Sequence, residues 1–136
     1  MSSMDKITRY LFSSSQYSVT NKRVKYNAFK PPRKYPDEVS VYDVSNLSDE
    51  SIWQMGIEGV ESVRSDNKKI KARGDISVEE INKIANEGEP PVLKVEPDPE
   101  PHPNHMNITG FTSLHEGQVN IIAKKVADLA KLEIRK

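Results

Sequence analysis

Charge is laid out along this chain in blocks, and no other feature constrains its folding so strongly. Residues 1–36 carry eight basic side chains (Lys6, Arg9, Lys22, Arg23, Lys25, Lys30, Arg33 and Lys34) against Asp5 alone, a local balance of +7. Residues 37–100 carry sixteen acids against seven bases, a balance of −9, and residues 101–136 carry five bases against three acids, a balance of +2. The net charge is zero, so a pI near 6.8 conceals a bipolar polymer. A chain built this way has two options: its basic first third folds against its acidic middle and is neutralised internally, or it keeps a basic surface for an anionic partner.

The hydrophobic pattern gives the scaffold on which that choice is made. Ile7-Thr-Arg-Tyr-Leu-Phe12 is rich in β-branched and aromatic residues and reads as a first strand ended by Ser13 to Ser15. Residues 16–36 have no sustained period and read as loop, with a short strand around Arg23 to Tyr26. Val39, Val41 and Val44 predict a second strand, Ser45-Asn46 a turn, and Ser48 the N-cap of a helix over 49–62 that carries Ile52, Trp53 and Ile57 inward. Lys68 to Arg73 is expected as a strand ending at Gly74-Asp75. Ser77 and Glu80 form a capping-box pattern ahead of Ile81 and Ile84, with Gly88 closing that helix.

Residues 92–96 predict a further strand. Prolines at 97, 99, 101 and 103 then block both helix and ladder hydrogen bonds, so 97–104 is expected as an extended connector. Residues 105–111 alternate as a strand, and 115–132 places Val119, Ile122, Ala123, Val126 and Leu129 along one helical stripe. The expectation is one α+β domain over residues 1–136, a small mixed or antiparallel sheet with about three helices packed mainly on one face.

Composition excludes several chemistries. A chain of 136 residues falls in the size range of one domain and buries roughly two-thirds of its unfolded surface. Its 35% hydrophobic content, below the roughly 45–50% usual for globular chains, implies a thin core. With no cysteine there is no disulfide, thiolate nucleophile or cysteine-ligated zinc. No apolar run approaches the roughly 18 residues of a membrane span, and Met1 to Arg9 lacks a leader's apolar stretch, so a soluble, cytoplasmic protein is expected with no membrane partner. No phosphate loop, dinucleotide fingerprint, kinase signature or catalytic serine motif is present.

Four groups of residues carry candidate chemistry. His102, His105 and His115 are numerous enough to ligate a divalent metal, but His102 lies in the proline connector, where no helix aligns the rings, and no acid stands between them. No metal or cofactor is therefore expected. His105 alone alternates with Asn107 and Thr109, a placement suited to acid/base work or to holding a phosphate. Arg73-Gly74-Asp75, at a strand end before a capped helix, could clamp an anion through Arg73 or serve as an ordinary turn. The basic third interleaves Arg9, Lys22, Arg23 and Lys25 with Tyr10, Tyr17, Tyr26 and Phe29, and Ser13 and Ser15 add hydroxyls and amides. Cations beside planar rings suit single-stranded nucleic acid.

Three functional expectations follow. The first is a binding module contacting RNA or single-stranded DNA through Arg9, Ser13, Ser15, Lys22, Arg23 and Lys25, with Arg73 and Asn107 as further ligand contacts. The second is an enzyme acting on a nucleotide or phosphodiester, with Arg9 and Arg73 as clamps, His105 as acid/base and Asp75 as orienting group. The third is a protein-interaction module of inhibitor or antitoxin type, using the acidic, proline-rich segment or the last helix.

Overall fold

The first strand, β1 (Lys6–Leu11), is apolar on one face at Ile7 and Leu11 and carries Thr8 and Tyr10 on the other, so it is buried on both sides. A strand of that kind belongs in the middle of a sheet. The structure is a computed structural model that describes residues 6–31, 38–63, 68–85, 93–98, 104–111 and 116–135, apart from the side chains of Val63, Ala85 and Glu116. In it β1 pairs with β4 (Val39–Asp43) on one edge and β5 (Ala72–Ser77) on the other. The remaining strands of the sheet are β6 (Lys94–Pro97), β7 (His105–Thr109) and β8 (Lys131–Ile134), in the order β6-β7-β4-β1-β5-β8, every pairing antiparallel. Two short strands, β2 (Tyr17–Ser18) and β3 (Arg23–Val24), form a separate hairpin, followed by a 3-10 turn over Tyr26–Phe29.

Strand alternation sorts the side chains into two cores. Ile7, Leu11, Val39, Val41, Ala72, Ile76, Met106 and Ile108 point to one face, where helices α2 (Val78–Ala85) and α3 (Glu116–Leu129) cover them together with Val24, Ala28 and Phe29. On the other face Tyr10, Tyr42, Val44, Ile52 and Ile70 form a second cluster under α1 (Asp49–Gly59), joined by Trp53 and Met55. The α+β class, the antiparallel sheet and the three helices match expectation, two helices lying on one face and one on the other.

The local signals explain most boundaries. The Ser48 hydroxyl accepts from the Ser51 amide at 3.2 Å and caps α1. Ser77 caps α2, its hydroxyl accepting from the Glu80 amide at 3.1 Å and donating to the Glu80 carboxylate at 3.2 Å, so the cap forms without the return bond to the Ser77 backbone that defines the full box. Asn46 turns the chain at φ 63°, a left-handed value asparagine tolerates.

Three expectations are corrected. Arg73, Gly74 and Asp75 lie inside β5, not in a turn after it. Gly74 is required by packing, since a Cβ there would stand 2.9 Å from the Val24 methyl of the hairpin. The last helix stops at Leu129, where the Ala130 amide closes on the Val126 and Ala127 carbonyls, and residues 131–134 become a strand on the edge of β5. Pro97 ends an edge strand, a place where a missing donor breaks no inner ladder bond. Residues 99–103, most of the proline connector, lie outside the described residues, as do His102, His115 and Gly88.

Gly56 on α1 fixes how closely that helix approaches the sheet. A Cβ there would sit 2.5 Å from the Tyr10 ring and 2.9 Å from Ile70, and Tyr10 cannot yield because its hydroxyl donates to the Ile52 carbonyl at 2.6 Å. Gly56→Ala should therefore destabilise the protein by about 1–3 kcal/mol despite the ~1 kcal/mol gain in helix propensity, measured as a lower urea midpoint at unchanged slope.

Candidate functional site

Register places the polar side chains of the α1 face in two parallel rows across the sheet. One row runs Lys131, Asp75, Thr8, Tyr42, His105, and the next contains Glu133 beside Arg73 and Ser40 beside Asn107, with Glu96 beyond. Arg73 is fully buried. Its Nε donates to Asp75 at 3.1 Å and its Nη2 to the Asp49 carboxylate at 2.6 Å, while its guanidinium lies 4.6 Å from the centre of the Trp53 ring. Asp75 also accepts from the Thr8 hydroxyl at 2.6 Å, with the Lys6 ammonium 3.9 Å away. The hydrogen bond from Arg73, reinforced by its charge, holds the Asp49 carboxyl below the usual carboxylate range. Burial pushes the Tyr10 and Tyr42 hydroxyls up, against the opposing charges of Arg73 and Arg9 respectively.

His105 and Asn107 occupy the far end of the same face. The His105 Nδ1 lies 2.8 Å from the Asp98 carbonyl, its ring meets Tyr42 edge-on at 5.3 Å, and the Asn107 amide nitrogen donates to Asp98 at 3.0 Å. The buried Oδ1 of Asn107 has no hydrogen-bond partner among the described residues. Among the described residues no group of three metal-ligating side chains converges, and no described helix is long and apolar enough to cross a membrane.

Arg9 belongs elsewhere. It pairs in register with Gly74, so it projects from the face opposite Arg73, and its guanidinium donates to the Ala28 carbonyl at 2.9 Å and the Ser40 carbonyl at 2.8 Å. Arg9 and Arg73 are therefore separated by the sheet, and the four residues expected to form a catalytic site do not share one pocket. Arg73 and Asp75 are engaged with each other on the face of the sheet opposite Arg9.

Four basic residues of the first third, Arg9, Arg23, Lys25 and Lys30, line two neighbouring clefts instead. The larger, about 590 Å³, is lined by Arg9, Phe12, Ser13, Ser15, Asn27, Lys30 and Lys68. The second, about 340 Å³, is lined by Ser18, Arg23, Lys25, Tyr26, Asn27 and Lys124, and Asn27 belongs to both. No carboxylate lines either cleft among the described residues. The Ser13 hydroxyl accepts the Ser15 amide at 3.1 Å, which shapes the rim and removes that amide as an anion donor. Lys25 donates to the Ser14 carbonyl at 3.2 Å. Arg23 and Lys22 form no ion pair among the described residues, and Lys22 sits at the hairpin tip with φ 53°, outside both cleft linings.

Of the aromatics, Tyr10 and Phe29 are core and Tyr17 packs against it, while Tyr26 is 40% exposed at the second cleft. Asn27, Lys68 and Lys124 were not legible as site residues. Lys68 and Lys124 come from segments remote in sequence: the pairing of β5 with β1 brings Lys68 near, and the packing of the 3-10 turn and β3 against α3 brings Lys124 near. No protein-family model matches this chain, and neither a curated protein nor a solved structure matches it.

Arg73→Met tests the buried network. Asp75 loses its partner in a dry site, so the variant should lose about 3–5 kcal/mol in chemical denaturation. In the same variant the Asp49 carboxyl should return toward its ordinary 3.8 in an NMR titration. Because its folded value is depressed, the Asp49 contribution is present above 3.8 and fades as pH falls through that lower value.

Proposed function

We propose that this protein binds an anionic polymer, RNA or single-stranded DNA, across the two basic clefts beside the β2–β3 hairpin. The observation that supports this reading is the clustering of cations: Arg23 and Lys25, which form no ion pair among the described residues, line one cleft together with Lys124, itself paired with Asp128 at 3.3 Å, and Arg9, Lys30 and Lys68 line the other. Two depressions of one sign that meet at Asn27 suit a ligand carrying repeated negative charge, longer than a single phosphate.

The chemistry divides by residue type. Lys and Arg meet phosphates, the Ser13 and Ser15 hydroxyls and the Asn27 amide offer neutral hydrogen bonds to sugar or phosphate, and the exposed ring of Tyr26 offers a stacking surface for a base. The hairpin and the 3-10 turn are fixed beneath these groups by Val24, Ala28 and Phe29, all fully buried, so the basic residues stand on a packed support. Arg9 contributes its charge from a guanidinium oriented by two backbone carbonyls.

Titration with a fluorescent oligonucleotide at several salt concentrations tests the reading. Affinity should fall with salt at about 0.7 log units per log salt for each phosphate neutralised on a single strand. Lys25→Glu with Lys30→Glu should weaken binding and flatten that slope, whereas Lys94→Glu on the distant edge strand β6 should change neither. A flat salt dependence, or equal effects from all three reversals, overturns the proposal.

A further inference from the structure

The sheet has an outer edge at β8, and the ladder geometry shows which of its backbone groups face out. The Arg135 amide donates to the Lys71 carbonyl at 3.0 Å, and residues pair as Arg73 with Glu133 and Asp75 with Lys131. In an antiparallel ladder, hydrogen-bonded pairs alternate with non-bonded ones. Lys131, Glu133 and Arg135 therefore turn their backbone groups toward β5, and Leu132 and Ile134 turn theirs away from the sheet. No strand lies beyond β8 among the described residues.

Two properties of this edge fit it to a strand identical to itself. Its side chains on the α1 face alternate in sign, Lys131 and then Glu133, which lie 3.4 Å apart within the strand. On the opposite face Leu129 and Ile134 are each 43% exposed, among the few large apolar side chains left uncovered. We infer that β8 pairs with β8 of a second copy of this chain, antiparallel about a two-fold axis at Leu132, extending the six-stranded sheet across both molecules.

The register follows from charge. With Leu132 opposite its own counterpart, the two Leu132 residues exchange two backbone hydrogen bonds, and each Ile134 amide reaches the partner copy's carbonyl at position 130. The Ala130 amide, already closed on α3, is not needed. Each Lys131 then faces a Glu133, an opposite-charge cross-strand pair made twice by symmetry. Shifting the axis to Glu133 would also oppose outward-facing backbone groups, but it sets carboxylate against carboxylate and Lys131 against Arg135. An axis at Ile134 would require Arg135, which is held by Glu61 at 2.8 Å and the Ile70 carbonyl at 3.0 Å. The apolar face of the joined edge would cover Leu129 and Ile134 of both copies.

Sedimentation equilibrium on the full chain tests this. The wild type should show a concentration-dependent dimer, and Lys131→Glu or Glu133→Lys alone should weaken it by about tenfold, because both symmetric pairs become repulsive. Mixing those two variants should restore association, since each strand then meets opposite charges. Leu132→Pro should abolish the dimer, since that outward amide is needed across the edge, and Leu132→Ala, which keeps the amide, controls for the side-chain packing against the core that both variants lose. The proposal is overturned by a wild type that stays monomeric, by a dimer indifferent to both reversals, or by a monomer whose single tryptophan, Trp53, responds to an added extended Lys/Ile peptide, which would give the edge to a foreign strand.

Discussion

The buried guanidinium of Arg73 holds the two layers of this protein in register. It stands on the central part of the sheet, reaches Asp75 on its own strand, and meets Asp49 in the first turn of α1 while lying against Trp53 of the same helix. A cation in a site this dry persists only when its charge and its donors are matched, and here two carboxylates and an aromatic face do so. Such a network adds little net stability compared with apolar packing. Its effect is positional: Asp75 and Thr8 hold one end of the guanidinium network within the sheet, and Asp49 and Trp53 tie the other end to α1.

Among the described residues the acidic middle pairs with cations of its own block and of the C-terminal segment: Arg73 with Asp49 and Asp75, Lys69 and Arg135 with Glu61. From the first third, Lys6 approaches Asp75, while Arg9 and Lys25 are positioned by backbone carbonyls. Carbonyl oxygens orient a cation without cancelling its charge, and the Ser14 carbonyl holds Lys25 in this way at the second cleft.

How much of this was legible follows the range of the interactions involved. The Ser48 and Ser77 caps and the Asn46 turn act within four residues, and all appear as the sequence predicts. The alternation of β1 and the stripe of α3 were equally readable. Arg73-Gly74-Asp75 was not, because those residue types resemble turn punctuation when read alone, and only the hairpin at Val24 and the helix at Asp49 explain a glycine and two opposite charges inside a strand. Residues 131 and 132 were read as the end of the helix since Leu132 continues the spacing of Leu129, whereas the open edge of β5 offered residues 131–134 backbone partners. For the site, Arg9, Ser13, Ser15, Arg23 and Lys25 were visible as a basic, hydroxyl-rich cluster, but Lys68 and Lys124 reach it through tertiary packing alone.

The position of β1 has a consequence for how the chain reaches this state. It is the most enclosed strand, yet its partners begin at Val39 and Ala72, and β5 in turn waits for Lys131. On a ribosome, Ile7 and Leu11 emerge long before either neighbour exists. Closure of such distant pairings is slow, and a nascent strand of that character is vulnerable to mispairing until Ser77 has left the exit tunnel.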